Sequence, residues 1–293
     1  MTKSLNITEK MVLGTAQFGM DYGIANLSGK PKKKEVFSML DLAMEKRIRR
    51  FDTAPGYGSE AVLGEFITAN GLQDEAIVLT KIPSLEGSSN YQNTVRSSIE
   101  TSLNHLGCRV DVFFFHNPAD SVLLKKDPDF FENLLHEYPI SNLGVSVYEP
   151  REVEAISRYQ FDLAFQFPFN VLDRRFTNVD MCEGKRYARS VFLQGLLASP
   201  YGLRPDTPKE LLILQKEYHD KLDKHKLEPI SFSISFASRN DVVDYFVVGV
   251  DSAEQLQDIL TLDSYNQKEM TIINALLVNT NEYWLDPRNW RLK

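Results

Sequence analysis

Short apolar runs alternate along the chain with stretches of ten or more residues whose apolar positions recur at helical spacing. A run too short for a helix, followed by a helical pattern, reads as a βα unit, and repeated βα units require parallel strands joined by right-handed crossovers. Strands are expected at Val12–Thr15, Arg50–Thr53, Ile77–Lys81, Val110–His116, Asn142–Ser146, Leu163–Gln166, Ala188–Phe192 and Tyr245–Val248. Eight such strands can close a parallel barrel whose interior is filled by side chains. Helices are expected at Lys34–Lys46, Ser59–Asn70, Tyr91–Leu106, Ser121–His136, Pro150–Tyr159, Pro208–Lys224 and Ala253–Leu260, with a poorly defined sixth and an extra one over Glu228–Ser238. Pro208 after Thr207 and Pro150 after Glu149 fit first helical positions, where a missing N–H costs nothing, and Ser252 with Gln255 fits a capping box.

With 293 residues, 43% of them hydrophobic, the chain can bury a large core. No Gly-, Pro- or Ser-rich linker divides it, so the economical reading is one α/β domain over residues 1–293, a (β/α)8 TIM barrel. A doubly wound dinucleotide-binding fold competes, but the first strand–helix turn reads Gly14-Thr15-Ala16-Gln17-Phe18-Gly19 and lacks G-x-G-x-x-G.

A net charge of −7 leaves no basic excess to bind a nucleic acid by counterion release. The one dense basic run, Lys30–Lys34, reads as a solvated lead into the first helix. Met1–Met11 is polar and no run of about 18 apolar residues occurs, so the expectation is a soluble, cytoplasmic protein with no membrane partner. Cys108 and Cys182 form no C-x-x-C and are expected to be reduced thiols, and the histidines show no zinc-ligand spacing, so no metal site is expected. With no heptad seam, a monomer is assumed.

In an α/β barrel the reactive groups come from the C-terminal ends of the strands and the loops that follow. Asp52 ends one apolar run, Tyr57 lies in the loop after it, Lys81 ends the next run and His116 the one after three phenylalanines. These residue types suit carbonyl reduction, because delivering hydride to a carbonyl carbon leaves negative charge on oxygen that needs a proton donor and a cation. Tyr57 is the candidate donor; its pKa of about 10 should fall beside an ammonium about 4–6 Å away, which Lys81 would supply. Asp52 would keep the lysine charged and in place, and His116 would orient the carbonyl or relay the proton. Taken singly, Asp52 could cap a loop, Lys81 could lie at the surface and His116 could sit in the core. Their shared position at strand ends favours chemistry.

The series Asp52-Thr-Ala-x-x-Tyr57-Gly-Ser-Glu60, Leu79-Thr-Lys81 and a histidine closing the fourth strand resembles the Asp/Tyr/Lys/His set of the aldo/keto reductases. The similarity continues through Gly144-Val-Ser146, Phe165-Gln166-Phe-Pro-Phe-Asn170, Phe192-Leu-Gln-Gly195 and Val247-Val-Gly249. It implies a nicotinamide dinucleotide, NADP(H) or NAD(H), and a small carbonyl substrate. By the resemblance, Ser146 and Gln166 hold the carboxamide with Asn170 nearby, and Gly14 and Thr15 approach the ring through backbone. The Phe192–Ser199 loop, which contains Gln194, and the start of the helix after Gly249 embrace the pyrophosphate and adenosine phosphate, and Ser190 is a further cofactor-binding candidate. Gly249, Ser252 and Gln255 face the adenosine phosphate at a helix N-terminus, although the last two are explained equally well by capping. Arg189 stands where many relatives stack an aromatic ring on the nicotinamide, and it could equally sit in a surface salt bridge. Relatives often follow the serine with asparagine; here Val147 follows it. The segment after Gly249 lacks the Lys or Arg residues that clamp a 2′-phosphate, and Asp251 would repel one, so weakened discrimination against NADH is expected.

Two other readings stand beside reduction: a Schiff-base aldolase using Lys81, and a nicotinamide-binding regulatory subunit with little catalysis. The opening run from Gly14 to Asn26 and the closing Leu285-Asp-Pro-Arg-Asn-Trp290 are similar to a bacterial branch of the family associated with surface-polysaccharide or amino-sugar metabolism, which implies a sugar aldehyde or ketose. Met20, Tyr22, Phe115 and Asn117 are further candidates to flank the substrate, and Trp284 and Trp290 either line the pocket or anchor the tail.

Overall fold

A computed structural model describes residues 7–156, 161–181, 183–198, 202–262, 265 and 281–290; Tyr159, Cys182 and Ser199 lie outside them, as do the first residues of the Met1–Met11 stretch. Eight parallel strands close a barrel in chain order: β1 Met11–Gly14, β2 Arg50–Asp52, β3 Ile77–Ile82, β4 Val110–Phe115, β5 Ile140–Ser146, β6 Ala164–Pro168, β7 Arg186–Arg189 and β8 Tyr245–Gly249. The outer layer is built from α1 Ile7–Lys10, α2 Ala16–Gly19, α3 Lys33–Glu45, α4 Glu60–Ala69, α5 Tyr91–Leu106, α6 Val122–Lys126, α7 Pro128–Glu137, α8 Pro150–Ile156, α9 Lys209–Lys224, α10 Pro229–Ser238 and α11 Ala253–Thr261. The expected (β/α)8 barrel is therefore the observed one. Among the described residues no helix is long and apolar enough to cross a membrane.

Local chemistry explains where the expected elements shift. The helix expected over Ser121–His136 is two helices, because Asp127 precedes Pro128 and takes an extended φ of −145° that breaks the helical run. Pro208 is the residue before α9 and not its first turn: its ψ of 140° is extended, the helix begins at Lys209, and the buried Thr207 hydroxyl caps nothing. β7 ends at Arg189, three residues early, because Ser190 adopts a φ of 60° and turns the chain out of the sheet. No helix forms between β6 and β7 among the described residues. At the α11 start only half of the expected capping box forms: Ser252 Oγ accepts from the Gln255 N–H at 3.2 Å, but the Gln255 side chain accepts from the Asp251 N–H, one residue before the cap.

Two apolar layers hold the barrel. Val12, Leu79, Val112, Phe114, Ala164 and Tyr187 fill the interior, with Phe114 edge-on to Tyr187 at 5.7 Å and Tyr187 stacked on Tyr245 at 5.1 Å. A second, larger layer joins the strands' outer faces to the helices. The strand register fixes the geometry of the rim. Gly14 pairs with both Asp52 and Gly249, Lys81 with Phe114, Ser146 with Gln166, and Pro168 with Arg189, so the last residues of the strands ring one mouth.

Candidate active site

Lys81 is the buried centre of that mouth, with 1% of its surface exposed. Its Nζ donates to Asp52 Oδ1, Asp52 Oδ2 and the Thr53 carbonyl, each at 2.9 Å, which engages all three ammonium protons. Burial alone would discharge the lysine; the Asp52 carboxylate and Tyr57 more than offset that and hold its pKa above the ordinary value. Gln166 Nε2 also donates to Asp52 Oδ1, at 2.7 Å, so Asp52 carries the lysine and an amide together.

Beyond β2, a short 3-10 turn over Pro55–Tyr57 lifts Tyr57 above the lysine, whose Nζ lies 4.9 Å from the phenol ring centroid. Gly19 permits this placement: a Cβ there would stand 1.8 Å from the Tyr57 carbonyl oxygen. Ser59 ties the floor together through contacts with Thr15 Oγ1 at 2.8 Å and Thr53 Oγ1 at 2.9 Å, and Thr80 Oγ1 donates to the buried Glu60 carboxylate at 2.6 Å. The His116 ring meets Tyr57 edge-on at 6.4 Å.

The electrostatics depart from expectation at Tyr57. Lys81 acts in the lowering direction, but burial is the larger effect and the phenol pKa rises above its ordinary value. His116 moves the other way, to about 4, because burial and the Lys81 and Arg189 charges oppose its protonation. At neutral pH both rings are therefore uncharged.

A cavity of about 510 Å³ opens over this cluster and runs between the β1 and β8 ends toward α11. Gly14, Asp52, Tyr57, Gln166, Arg189, Ser190, Phe192, Gln194, Gly249, Ser252 and Gln255 line it. Thr15, Ser146 and Asn170 are buried beneath the lining. The Thr15 N–H and hydroxyl both go to the Asp52 carbonyl. Asn170 Nδ2 donates to the Ser190 carbonyl at 3.0 Å while its Oδ1 accepts from the Leu172 and Asp173 N–H groups, so it holds the loop after β7 from below. In that loop Ser190, Leu193 and Gln194 all have positive φ (60°, 46° and 55°), a strained backbone for side chains of this size.

Arg189 makes no surface salt bridge among the described residues. Its guanidinium lies 4.1 Å from the Tyr148 ring centroid and donates to the Val147 carbonyl at 3.1 Å, and Arg288 lies 3.4 Å from the centroid of the same ring. Tyr148 and Arg288 gave no signal in the sequence as a pair. Gln17, whose amide would clash with a Cβ on Gly249, and Tyr22, whose pKa burial pushes up to about 12, also line the cavity. Trp290 is buried and donates to the Trp284 carbonyl at 3.0 Å, which anchors the tail.

The family model described as the Aldo/keto reductase family matches residues 10–278. An aflatoxin B1 aldehyde reductase member 2 of Rattus norvegicus is 33% identical over 118 residues, 39% of this chain and 32% of that protein. An aldo-keto reductase of Mycobacterium avium (strain 104) is 32% identical over 152 residues, 50% of this chain and 47% of that protein. The chain spans a third to a half of the length of the curated relatives it matches. In fold it is similar to a glycerol dehydrogenase from Gluconobacter oxydans, with a TM-score of 0.69, 20% identity, and 91% of this chain and 90% of that one covered.

Proposed function

Because the chain belongs to the aldo/keto reductase family, we propose that it reduces an aldehyde or ketone to an alcohol with a nicotinamide dinucleotide, using Tyr57, Lys81, Asp52 and His116. The observation that carries this reading is the Asp52–Lys81–Tyr57 stack at the floor of the cavity, with the ammonium fully engaged by Asp52 and Thr53. The dinucleotide, when bound, supplies the hydride. A cavity of about 510 Å³ that passes two rim glycines and reaches a helix start suits such an elongated ligand. Gln166, Arg189, Gln194 and the turn into α11 would hold it.

Tyr57 keeps its proton at neutral pH, as a donor must, and releases it to the oxygen as negative charge develops there. Lys81 stabilises the phenolate that results. Asp52 fixes the lysine and, through Gln166, couples it to the wall that orients the ligand. His116 is neutral and can donate one N–H to the carbonyl oxygen, which aligns the carbonyl against the hydride donor. A sugar carbonyl is the substrate class we infer, supported by a rim that offers Tyr22, Gln166, Arg189 and Gln194 to hydroxyl groups.

The test is a fluorescence titration of the protein with NADPH and NADH, followed by borohydride treatment in the presence of carbonyl substrates. Saturable binding of at least one dinucleotide, with Lys81 unmodified, is expected, since that lysine has no free amine to attack a carbonyl. Absence of binding to both would overturn the proposal, and a covalent adduct at Lys81 would replace it with the aldolase reading.

Gly19→Ala should lower turnover about tenfold to a hundredfold by pushing the Tyr57 backbone aside, since misplacing a reacting group by about 1 Å can cost that much. Steady-state kinetics check this, with dinucleotide affinity as the control that should stay within about threefold.

A further inference from the structure

A second cavity, of about 440 Å³, opens on the same side of the barrel, between the segments that follow β4 and β5 and the tail. It starts beside His116, because Asn117 lines it, and Val122, Ala155 and Ile156 give it an apolar side. Most of its polar side chains are already committed within the protein. Asn117 Oδ1 accepts from the Ala119 N–H at 3.1 Å, and its Nδ2 donates to Ser84 Oγ at 3.2 Å. Ser121 Oγ donates to the Pro118 carbonyl at 2.7 Å, and Glu152 Oε2 accepts from the Tyr148 and Glu149 N–H groups at 2.6 and 2.9 Å. The lining donors that remain are two guanidiniums. Arg151 is exposed and has no partner among the described residues. Arg288 gives Nε and Nη2 to Asp286, which leaves its Nη1 edge without an acceptor among the described residues.

The Tyr148 ring joins this cavity to the one over Lys81. Arg288 lies 3.4 Å from the ring centroid and Arg189 lies 4.1 Å from it. Two guanidiniums this close to one ring must stand on opposite faces, since on a single face they would overlap. Tyr148 is therefore a partition, with Arg189 lining the first cavity and Arg288 the second. Clamped by the ring and by Asp286, Arg288 presents its free edge in a fixed orientation, so little ordering is needed when a ligand binds. In a chain of net charge −7, two unpaired cationic edges beside the proposed reaction centre select for negative charge. A guanidinium edge pairs with a carboxylate or phosphate through two parallel hydrogen bonds, and a neutral hydroxyl offers it neither the charge nor the second acceptor.

Resting on the reductase reading above, we infer that the substrate carries an acidic group, a carboxylate or a phosphate, away from its carbonyl, and that Arg151 and Arg288 hold that group in the second cavity while the carbonyl meets Tyr57 and His116. This narrows the sugar carbonyl to an acidic one.

Steady-state kinetics of the full chain on matched aldehydes test it, with NADPH and with NADH. The pairs are para-carboxybenzaldehyde against para-nitrobenzaldehyde for a carboxylate, and glyceraldehyde 3-phosphate against glyceraldehyde for a phosphate. In at least one pair the acidic member should have a kcat/KM at least about tenfold higher, through a lower KM, and about 0.5 M KCl should erase most of that advantage. The pair that shows it identifies the group. Arg151→Gln and Arg288→Gln should each cut the acidic-to-neutral ratio about tenfold by raising the KM of the acidic member, the scale of one hydrogen bond to a charged group. Equal use of both members in both pairs by the wild type, or a ratio that neither substitution moves, would overturn the inference and leave the reductase reading standing. Turnover of none of the four aldehydes with either dinucleotide would overturn both.

Discussion

Tyr57→Phe is expected to lower turnover by about 10²–10⁴-fold while dinucleotide affinity stays within about twofold, the range for loss of a positioned general acid. The ring stays where it is, edge-on to His116 and above the Lys81 ammonium, so the substitution removes one hydroxyl and little packing. Lys81 keeps its three bonds to Asp52 and Thr53, and the cavity floor is unchanged. The loss should therefore fall on the chemical step. Single-turnover rates separate that step from binding, and a variant that reduces a carbonyl at close to the wild-type rate would remove Tyr57 from the mechanism.

Lys81→Met should be the most destabilising change at the site, at about 3–5 kcal/mol, because it strips the cation from a buried carboxylate and leaves that carboxylate without charge compensation. Asp52 is 5% exposed and would retain only the neutral Gln166 amide as a side-chain donor. Adding Asp52→Asn to Lys81→Met removes the stranded charge and should restore part of the loss, so the double variant will be more stable than Lys81→Met alone. Denaturant unfolding at neutral pH measures both. A Lys81→Met protein as stable as the wild type would mean that the pair is not buried in solution. The sign with pH follows from the direction of the lysine shift. Its folded pKa is raised, so its contribution is full below the ordinary lysine value of about 10.4 and fades as pH rises from there through the folded value.

The barrel was legible because alternation is a property of short windows, and the strand ends that carry Asp52, Lys81 and His116 could be placed within a residue or so. The break at Pro128 was missed: a proline inside a helical run disfavours helix at the residue before it, but the periodicity on either side reads as one helix. Other features depend on contacts that no window contains. Ser190, Leu193 and Gln194 adopt positive φ without being glycine, held by Asn170 below and by the Ile24 N–H on the Gln194 carbonyl. The direction of the Tyr57 shift depended on weighing a neighbouring charge against burial, and burial exists only once the chain has closed over the ring. The Tyr148 ring with Arg189 on one strand end and Arg288 in the tail is likewise a meeting of distant segments.

The pairing of β1 with β8 makes the barrel a ring with a seam, where Met11 meets Phe246 across most of the chain. Bringing such distant strands together costs only roughly 1.5 kcal/mol more loop entropy than joining successive strands, because that cost grows with the logarithm of length. The seam is nonetheless where a ring zipped in chain order closes last and where its two end strands part if it opens. The cavity straddles it, with Gly14 and Gln17 on one bank and Gly249 and Asp251 on the other. A molecule that fills the cavity therefore clasps the two ends of the sheet together, and neither bank alone presents the whole surface it recognises.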